Sequence, residues 1–244
     1  SDRSKESYLD KKRIFTSLEN LTLITPSKWL ASQVNQSFLR DKSVSVINNG
    51  IDLELFKPMA NKKIREKYNI ENKFLILGVA SYWSKRKGFK YFLELSKHLE
   101  QDEVILIVGV DAKQLNLLPH NVIGVSRTDS IEELVDFYSS SDVFVNPTLE
   151  DNFPTTNIES LACGTPVITF NSGGSPEIVD VKTGFVIEKG NIDELLIAIR
   201  EIKVNGKDYY SKECYVRARE NYNRDEKYQE YLEVYNSIIV NHDE

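Results

Sequence analysis

The sequence predicts an α/β fold in which one mostly parallel sheet is covered by helices on both faces, the doubly wound arrangement. Short runs of almost entirely apolar residues recur along the chain, as is typical of strands that are buried on both faces. Segments with the apolar spacing of helices separate these runs, which favours parallel strands joined by crossover helices. With 244 residues, of which 41% are hydrophobic, the chain can bury a sizeable core.

Six apolar runs are predicted to form the strands of this sheet. They are residues 74–81, 104–110, 121–126, 143–147, 166–170 and 184–188. The intervening helices are predicted near residues 87–100, 130–140, 155–163 and 192–203. Ser130 with Glu133, and Asn191 with Glu194, have the spacing of capping boxes and so mark the starts of two of these helices.

The two ends of the chain differ from this pattern. Residues 1–58 hold a charged helix and then two short apolar runs, LTLITP and SVSVINNG, which we predict to be strands but which are too few for a separate domain. The Tyr-rich, highly charged residues 207–244 are predicted to form one or two flanking helices. The sequence thus divides into three regions, 1–58, 59–206 and 207–244.

Composition argues against several classes of protein. The formal net charge of -6 disfavours a nucleic-acid partner, because binding a polyanion relies on a broad basic surface. Cys163, Cys214 and three histidines suggest neither a disulfide framework nor a zinc site, so we expect no metal and a reducing compartment. No apolar run approaches the roughly 18 residues of a membrane span, and residues 1–13 lack a signal peptide's apolar region. We therefore expect a soluble cytoplasmic protein.

The most informative segment is EDNFPTTNIESLACGTPVITF, residues 150–170. Its acidic loop follows a predicted strand, and ligands of open α/β sheets bind at such turns. A helix that begins near Thr156 would direct free N–H groups and a positive dipole end at the loop, which favours an anion. Pro154 disfavours one continuous helix, so we place Asp151 in the loop and Glu159 in the first helical turn. A carboxylate there can accept hydrogen bonds from two hydroxyls of a ribose.

This segment resembles the donor-site motif of the retaining glycosyltransferases of family 4, which have the GT-B architecture of two Rossmann-like domains. The family motif is an acidic residue, seven others, Glu and then Ala-x-Gly-x-Pro-Val; here it reads D-NFPTTNI-E-SLACGTPV, with Asp151 in place of the usual Glu. The resemblance continues through LITPSKWLASQ, INNGIDLELFKP, KRKGF, ELVDFYSSSDVFVNP and SGGSPEIV. It implies that residues 59–206 are the Rossmann-like nucleotide-sugar donor domain. Residues 1–58 would be a remnant of the acceptor domain with the linker, and 207–244 would cross back towards that domain.

The resemblance also implies roles for single residues. In the family, an Arg and a Lys-Gly pair bind the donor pyrophosphate; Lys87 matches the Lys, but the Arg position, near Ser81, is not basic. Arg86 and Lys85 are the expected substitutes, Arg86 because a guanidinium can bond two phosphate oxygens at once. Glu159 would hold the ribose, Asp151 the transferred sugar, and Lys87 would stabilise the charge on the departing pyrophosphate. These three are the predicted catalytic residues.

Other loop residues are expected to contact the donor. The phosphates are predicted to lie against Arg86, Lys87, Pro154, Thr155 and Thr156. Weaker candidates for donor contact are Glu150, Asn152, Phe153, Arg127, Gly173 and Gly174. Glu177 matches a Pro-Glu of the family, but it can also be explained as a residue at a helix start. Tyr82 and Trp83 could stack on a sugar, although packing at the rim of the sheet is favoured.

The resemblance implies an enzyme that moves a sugar from a nucleotide diphosphate sugar to a glycan or lipid-linked acceptor with retention, and the frequency of donors in the family favours a UDP type. Because cations and the helix dipole offset the leaving charge, we expect no metal or other cofactor. The EDN-x-P-x-T loop resembles that of a subgroup that builds bacterial surface polysaccharides, and this role allows a peripheral contact at the inner face of the membrane. Because the acceptor half is not evident, a non-catalytic nucleotide-sugar-binding or interaction module explains the same residues. The motif spacing disfavours a GT-B epimerase or hydrolase.

A nicotinamide-dependent oxidoreductase is a further alternative that the sequence disfavours. Asp111 follows the second predicted strand, as a ribose-binding acid would. However, the first strand is followed by SYWSKRKG, which lacks the Gly-x-Gly-x-x-Gly of a dinucleotide site.

Overall fold

The protein is described by a computed structural model that covers residues 2–60 and 63–240. The strands in this part of the chain are β1 (Thr22–Thr25), β2 (Ser43–Val46), β3 (Phe74–Val79), β4 (Glu103–Val108), β5 (Val122–Val125), β6 (Val143–Asn146), β7 (Val167–Phe170) and β8 (Gly184–Ile187). The α-helices are α1 (Ser4–Thr16), α2 (Lys28–Asn35), α3 (Lys63–Lys67), α4 (Phe89–Leu95), α5 (Ala112–Leu115), α6 (Ile131–Ser140), α7 (Thr155–Ala162), α8 (Ile192–Asn205), α9 (Lys207–Asn221) and α10 (Arg224–Val240).

The predicted doubly wound sheet is confirmed. Strands β3 to β8 form one six-stranded sheet in the order β5-β4-β3-β6-β7-β8, and every neighbouring pair is parallel. From β3 the chain first adds β4 and β5 on one side, and then crosses to add β6, β7 and β8 on the other. The order therefore reverses between β3 and β6, and ligands of open α/β sheets bind at such a switch point.

Burial explains why the central strands read as continuous apolar runs. In β4, the consecutive side chains of Ile105, Leu106 and Ile107 are all fully buried, as are Val143 and Phe144 in β6. Successive strand residues point to opposite faces of a sheet, so full burial of neighbours requires a cover on both faces.

The predicted helix 87–100 is shorter than expected. Lys85–Lys87 form a 3-10 turn, α4 begins only at Phe89, and Ser96–His98 form a second 3-10 turn. The break lies at Gly88, whose φ of 81° is in the left-handed region, and a Cβ there would lie 2.1 Å from the Pro147 carbonyl oxygen. The glycine thus lets two loops approach closely and leaves Lys87 outside the helix.

The two predicted capping boxes are only half formed. Ser130 Oγ accepts a hydrogen bond from Glu133 N at 3.2 Å, and Asn191 Oδ1 accepts one from Glu194 N at 3.1 Å. The glutamates do not bond back to the N–H of the cap residue. Instead, each glutamate side chain accepts a hydrogen bond from a backbone N–H that precedes the cap residue. The donors are Asp129 N for Glu133 and Glu188 N for Glu194.

The ends of the chain pack onto this sheet domain. Strands β1 and β2 form a separate parallel pair joined through α2. The linker that follows pairs with the start of α10, because Ile51 N donates to Tyr222 O at 2.9 Å and Arg224 N donates to Ile51 O at 3.0 Å. The C-terminal region forms two helices, α9 and α10, and the rest of that prediction, residues 241–244, lies outside the described residues.

An ion cluster fastens α8 to the amino end of β4, on the side of the sheet away from the switch point. Lys203 Nζ lies 2.8 Å from Glu100, 2.7 Å from Asp102 and 3.0 Å from Glu103. Arg200 also pairs with Glu103, whose side chain is fully buried. Burial lowers the pKa of Lys203, but the hydrogen bonds to Asp102 and Glu100 and the charges of these two acids together outweigh burial and raise the pKa.

Replacing Lys203 with Met is expected to destabilise the fold at pH 7 by about 1–3 kcal/mol, because buried Glu103 then keeps Arg200 as its one cationic partner among the described residues. Hydrogen bonding to Lys203 lowers the pKa of Glu100 and of Asp102, so the stabilisation is present above their ordinary values of 4.5 and 3.8 and is lost as the pH falls below them. Denaturant titrations at pH 7 and at about pH 3 measure the difference, which should shrink in acid.

The control is Lys97→Met, which removes an exposed pair with Glu94 and should change stability little. Equal effects of the two substitutions, or an effect of Lys203→Met that does not depend on pH, would contradict this account.

Candidate active site

Three loops at the carboxyl ends of β3, β6 and β7 meet at the switch point and are tied together by their backbones. Leu149 N, in the loop after β6, donates to Arg86 O, in the loop after β3, at 2.7 Å. Gly174 N, in the loop after β7, donates to Asp151 O at 3.0 Å. The acidic loop is therefore held between the other two.

The structure pairs two of the predicted catalytic residues. Lys87 Nζ lies 2.6 Å from Asp151 Oδ2, and the side chains are 24% and 15% exposed, respectively. Both sit in loops beside the β3–β6 switch point. A partly buried cation at the mouth of a crevice suits a ligand that carries phosphate, since charge-assisted bonds are strengthened where water is scarce.

The start of α7 provides a second feature that attracts anions. Pro154 occupies the N-cap position and has no side-chain hydrogen bond to the helix, whereas α6 and α8 are capped by side chains. Thr155 is exposed and Thr156 is part-buried, so this first turn is accessible. Its uncapped N–H groups and positive dipole end can accept a phosphate.

Glu159 lies in the second turn of α7, not in the first as predicted, because the helix already begins at Thr155. Its Oε2 accepts a hydrogen bond of 2.9 Å from the hydroxyl of Tyr138 on α6. Burial raises the pKa of Glu159, and hydrogen bonds from Tyr138 and Thr155 lower it in part. The sequence did not single out Tyr138, because only the packing of α6 against α7 brings the two side chains together.

The glycines after β7 pack against the acidic loop. Gly173 has a φ of 59°, and a Cβ there would lie 1.8 Å from Asp151 O. A Cβ on Gly174 would lie 2.0 Å from Asn152 O. A Cβ at either position would push the two loops apart, so the glycines allow the acidic loop to lie this close to the loop after β7.

The remaining predicted site residues differ in their exposure and in the groups that they contact. Arg86 is exposed and its side chain donates to Glu150 O at 2.7 Å, so at the surface it links the loop after β3 to the acidic loop. Glu150 and Asn152 are exposed on the acidic loop, while Phe153 is buried and packs edge-to-face on Tyr222 at 5.8 Å. The Phe153 side chain is thus part of the core.

Arg127 follows β5 at the edge of the sheet, and β4 separates β5 from β3. The structure does not group it with the lysine–aspartate pair. Asp111 has the sequence position expected of a ribose-binding acid in a dinucleotide site. In the structure it caps α5 through a reciprocal capping box with Gln114. Its position is explained without a ligand.

A cavity of about 700 Å³ adjoins the loop after β3. Its lining residues are Tyr82, Trp83, Ser84, Lys85, Phe89, Lys90, Gln114 and Leu149. Trp83 is 3% exposed and its Nε1 donates to Val108 O at 2.8 Å, which confirms the expected packing at the rim of the sheet. Tyr82 is 61% exposed and stands at the mouth of the cavity.

Glu177 has a partner that the sequence did not reveal. Its carboxylate accepts hydrogen bonds from Lys28 N at 2.9 Å and Trp29 N at 2.8 Å, the first backbone groups of α2. Ser27 Oγ caps the next one, Leu30 N, at 3.1 Å. Glu177 thus docks the β1–α2–β2 unit on the sheet domain.

Replacing Glu177 with Ala is expected to loosen this unit by roughly 1–2 kcal/mol, because two helix N–H groups lose a charged acceptor. Hydrogen exchange at Lys28 and Trp29 should become faster, while nucleotide affinity should change little. Glu213→Ala, at an exposed carboxylate of α9, is the matched control. If Glu177→Ala leaves the exchange of α2 unchanged but weakens nucleotide binding, Glu177 is a donor ligand and not a docking residue.

Together these features define a class of protein: a doubly wound α/β domain whose switch-point crevice carries a cation, a carboxylate and an uncapped helix N-terminus. Residues 72–204, more than half of the chain, match the family model described as glycosyl transferases group 1. The chain belongs to this family.

Curated relatives and solved structures agree with this assignment. The chain is 28% identical over 231 residues to the UDP-Gal:alpha-D-GlcNAc-diphosphoundecaprenol alpha-1,3-galactosyltransferase of Escherichia coli, covering 85% of this chain and 58% of that protein. It is 26% identical over 185 residues to the capsular polysaccharide biosynthesis glycosyltransferase CapM of Staphylococcus aureus, covering 69% and 48%. The chain therefore spans about half to three fifths of these relatives.

Among solved structures, sucrose-phosphate synthase from Thermosynechococcus elongatus matches with a TM-score of 0.83 at 22% identity, covering 98% of this chain and 64% of that one. The HepE protein of Anabaena, solved in complex with UDP-glucose, matches with a TM-score of 0.79 at 19% identity, covering 96% and 68%. At these identities the likeness establishes the fold, a Rossmann-like domain of GT-B type. No helix in the described part of the chain is both long and apolar enough to cross a membrane.

Proposed function

We propose that this chain is the donor-binding half of a glycosyltransferase that moves a sugar from a nucleoside diphosphate sugar to an acceptor hydroxyl, with retention at the anomeric carbon. The observation that carries the proposal is the ion pair of Lys87 and Asp151 at the β3–β6 switch point. It lies in the loops that lead into α4 and into the uncapped start of α7. Retention and membership of family 4 rest on the acid-x₇-Glu motif.

For each part of the donor, the site offers a protein group that can bind it. The diphosphate would lie on the first turn of α7, at Thr155 and Thr156, with Lys87 as the cation and Arg86 at the rim. The ribose hydroxyls would donate hydrogen bonds to Glu159, and the transferred sugar would contact Asp151. As the sugar–phosphate bond breaks, negative charge grows on the departing diphosphate, and fixed cations and helix N–H groups stabilise it most where water is excluded.

We propose that the transfer needs no metal, because the cations of the loop and the helix dipole already face the leaving group. Within the described residues, one group of carboxylates is close enough to share an ion: Glu100, Asp102 and Glu103. Those acids are engaged by Lys203 at the other end of the sheet, so we assign them a structural role.

A UDP-type donor and a lipid-linked or glycan acceptor are supported by relatives. The Escherichia coli relative is named for UDP-galactose and a diphosphoundecaprenol acceptor, and the Staphylococcus aureus relative for capsular polysaccharide. HepE of Anabaena was solved with UDP. We propose surface polysaccharide synthesis as the role, in the cytoplasm at the inner face of the membrane.

A separate acceptor unit is proposed because some surfaces of this chain are unpartnered. Within the part of the chain that the structure describes, β1 and β2 form a two-stranded sheet, whereas an independently stable sheet usually needs more strands. On α10, Tyr228, Leu232, Tyr235 and Ile239 are all exposed at helical spacing. We propose that the acceptor-binding domain packs on β1–β2 and on this face of α10.

The alternative is a non-catalytic module that binds a nucleotide sugar, and one experiment separates it from a donor half. Titration calorimetry with UDP-galactose and UDP-glucose is expected to show binding, and product analysis with a polyprenyl-diphosphate-linked N-acetylglucosamine is expected to show no transfer by this chain alone. Transfer that appears when the remaining part of a homologous enzyme is added would support the donor half. Binding without any restored transfer favours the module, and absence of binding contradicts both.

A further inference from the structure

We propose that Tyr138 is a positioning residue that orients the carboxylate of Glu159 towards the ribose hydroxyls of the donor. The inference rests on the proposed function, because it assigns Tyr138 a task in the site that Glu159 defines. The donor-site motif of residues 150–170 does not include Tyr138, which lies on a different helix, in the segment ELVDFYSSSDVFVNP.

Tyr138 is held more rigidly than a surface hydrogen-bond donor would be. Its side chain is fully buried, and its ring packs edge-to-face on Phe144 of β6 at a centroid distance of 5.4 Å. The backbone is also fixed, since Thr165 Oγ1 donates to Tyr138 O at 2.6 Å. The hydroxyl that donates to Glu159 Oε2 at 2.9 Å is therefore presented from a fixed ring.

The hydrogen bonds at Glu159 leave room for two more donors. An ionised carboxylate offers about four acceptor positions. Tyr138 occupies one of them. Enough positions remain for the two neighbouring hydroxyls of a ribose.

Charge in this region makes the Tyr138 bond important for the protonation of Glu159. Burial raises the pKa of Glu159, and the hydrogen bond from Tyr138 is the largest of the effects that lower this pKa. Burial also raises the pKa of Tyr138 and that of Cys163, the latter to about 12, so both stay neutral. A hydrogen bond with Ser139 and the charge of Lys207 on α9 lower the pKa of Cys163 in part.

The test is Tyr138→Phe, which keeps the ring and removes the hydroxyl. Without that donor the pKa of Glu159 should rise, and carbon-13 NMR of the labelled carboxyl group measures it without any ligand. Affinity for UDP at pH 7.5 should fall roughly fivefold to tenfold, which is less than the loss of a direct hydrogen bond to a charged group would cost, because Tyr138 orients the acceptor and does not itself contact the ribose. The acid limb of the affinity profile should move to higher pH, because Glu159 loses its charge earlier on acidification.

Three controls separate positioning from a general loss of packing. Tyr210→Phe removes another buried hydroxyl, which accepts from Asn205 Nδ2 at 2.9 Å, and should leave UDP binding unchanged. In a Glu159→Gln background, Tyr138→Phe should cause no further shift of the acid limb. With 2′,3′-dideoxyuridine diphosphate as the ligand, Tyr138→Phe should have little effect on affinity.

The outcomes distinguish this inference from the proposed function. If Glu159→Gln leaves UDP affinity unchanged, the ribose site and the role of Tyr138 both fail. If Glu159→Gln weakens binding but Tyr138→Phe moves neither the affinity nor the acid limb, only the positioning role fails. Should Tyr138→Phe not fold, 3-fluorotyrosine at position 138 serves instead: its more acidic hydroxyl should move the acid limb to lower pH, and no movement would overturn the inference.

Discussion

Lys87→Ala is expected to lower the affinity of the chain for UDP about 100-fold, while its affinity for uridine changes little. A charge-assisted bond to phosphate contributes roughly 1.5–3 kcal/mol, and 2.7 kcal/mol corresponds to about 100-fold in affinity. The substitution also leaves Asp151, which is 15% exposed and 2.6 Å from Lys87 Nζ, as an unpaired acid beside the diphosphate. Titration calorimetry with UDP, UMP and uridine measures the dependence on phosphate.

Two variants sharpen this prediction. Lys85→Ala removes an exposed lysine of the same loop and should have a much smaller effect. Asp151→Asn in the Lys87→Ala background should restore part of the affinity for UDP, because it removes the like charge. Equal losses for uridine and UDP would mean that Lys87 supports the loop and does not bind phosphate.

Glu159→Gln is expected to weaken UDP binding roughly tenfold or more, since two hydroxyls lose a charged acceptor and Tyr138 keeps only a neutral one. The effect should be largest near neutral pH. Burial raises the pKa of Glu159 above its ordinary value of 4.5, so the wild-type advantage is lost as the pH falls through that raised value. Affinities of both proteins for UDP between about pH 4.5 and pH 8 measure the effect.

The matched control for this substitution is Glu201→Gln, at an exposed acid of α8 outside the site. It should change affinity little. For 2′,3′-dideoxyuridine diphosphate, wild type and Glu159→Gln should bind alike. An equal loss for the dideoxy nucleotide would assign Glu159 to structure and not to ribose.

Local patterns in the sequence were sufficient to predict the fold. Strands such as β4 and β6 are buried on both faces, so each reads as an apolar run of strand length, and the helices between them imply parallel pairing. The prediction was wrong where one residue outweighed the pattern: Gly88 breaks the predicted helix 87–100 and sets Lys87 in a loop.

The candidate site was only partly predictable, because its contacts join distant parts of the chain. Lys87 and Asp151 were each predicted, but their pairing depends on β3 and β6 being neighbours. The bond from Tyr138 to Glu159 depends on the packing of α6 on α7, which has no local signature. The docking of α2 by Glu177 joins residues almost 150 positions apart and was missed for the same reason.

The central claim is that the crevice between β3 and β6 binds a nucleoside diphosphate. Thermal unfolding of the chain with UDP, GDP, ADP, CMP or NAD tests it most directly, because a ligand that binds only the folded state raises the unfolding temperature by mass action. The account predicts a rise with one nucleoside diphosphate, UDP, that is abolished in Lys87→Ala. No rise with any nucleotide, or a rise with NAD alone, would contradict it.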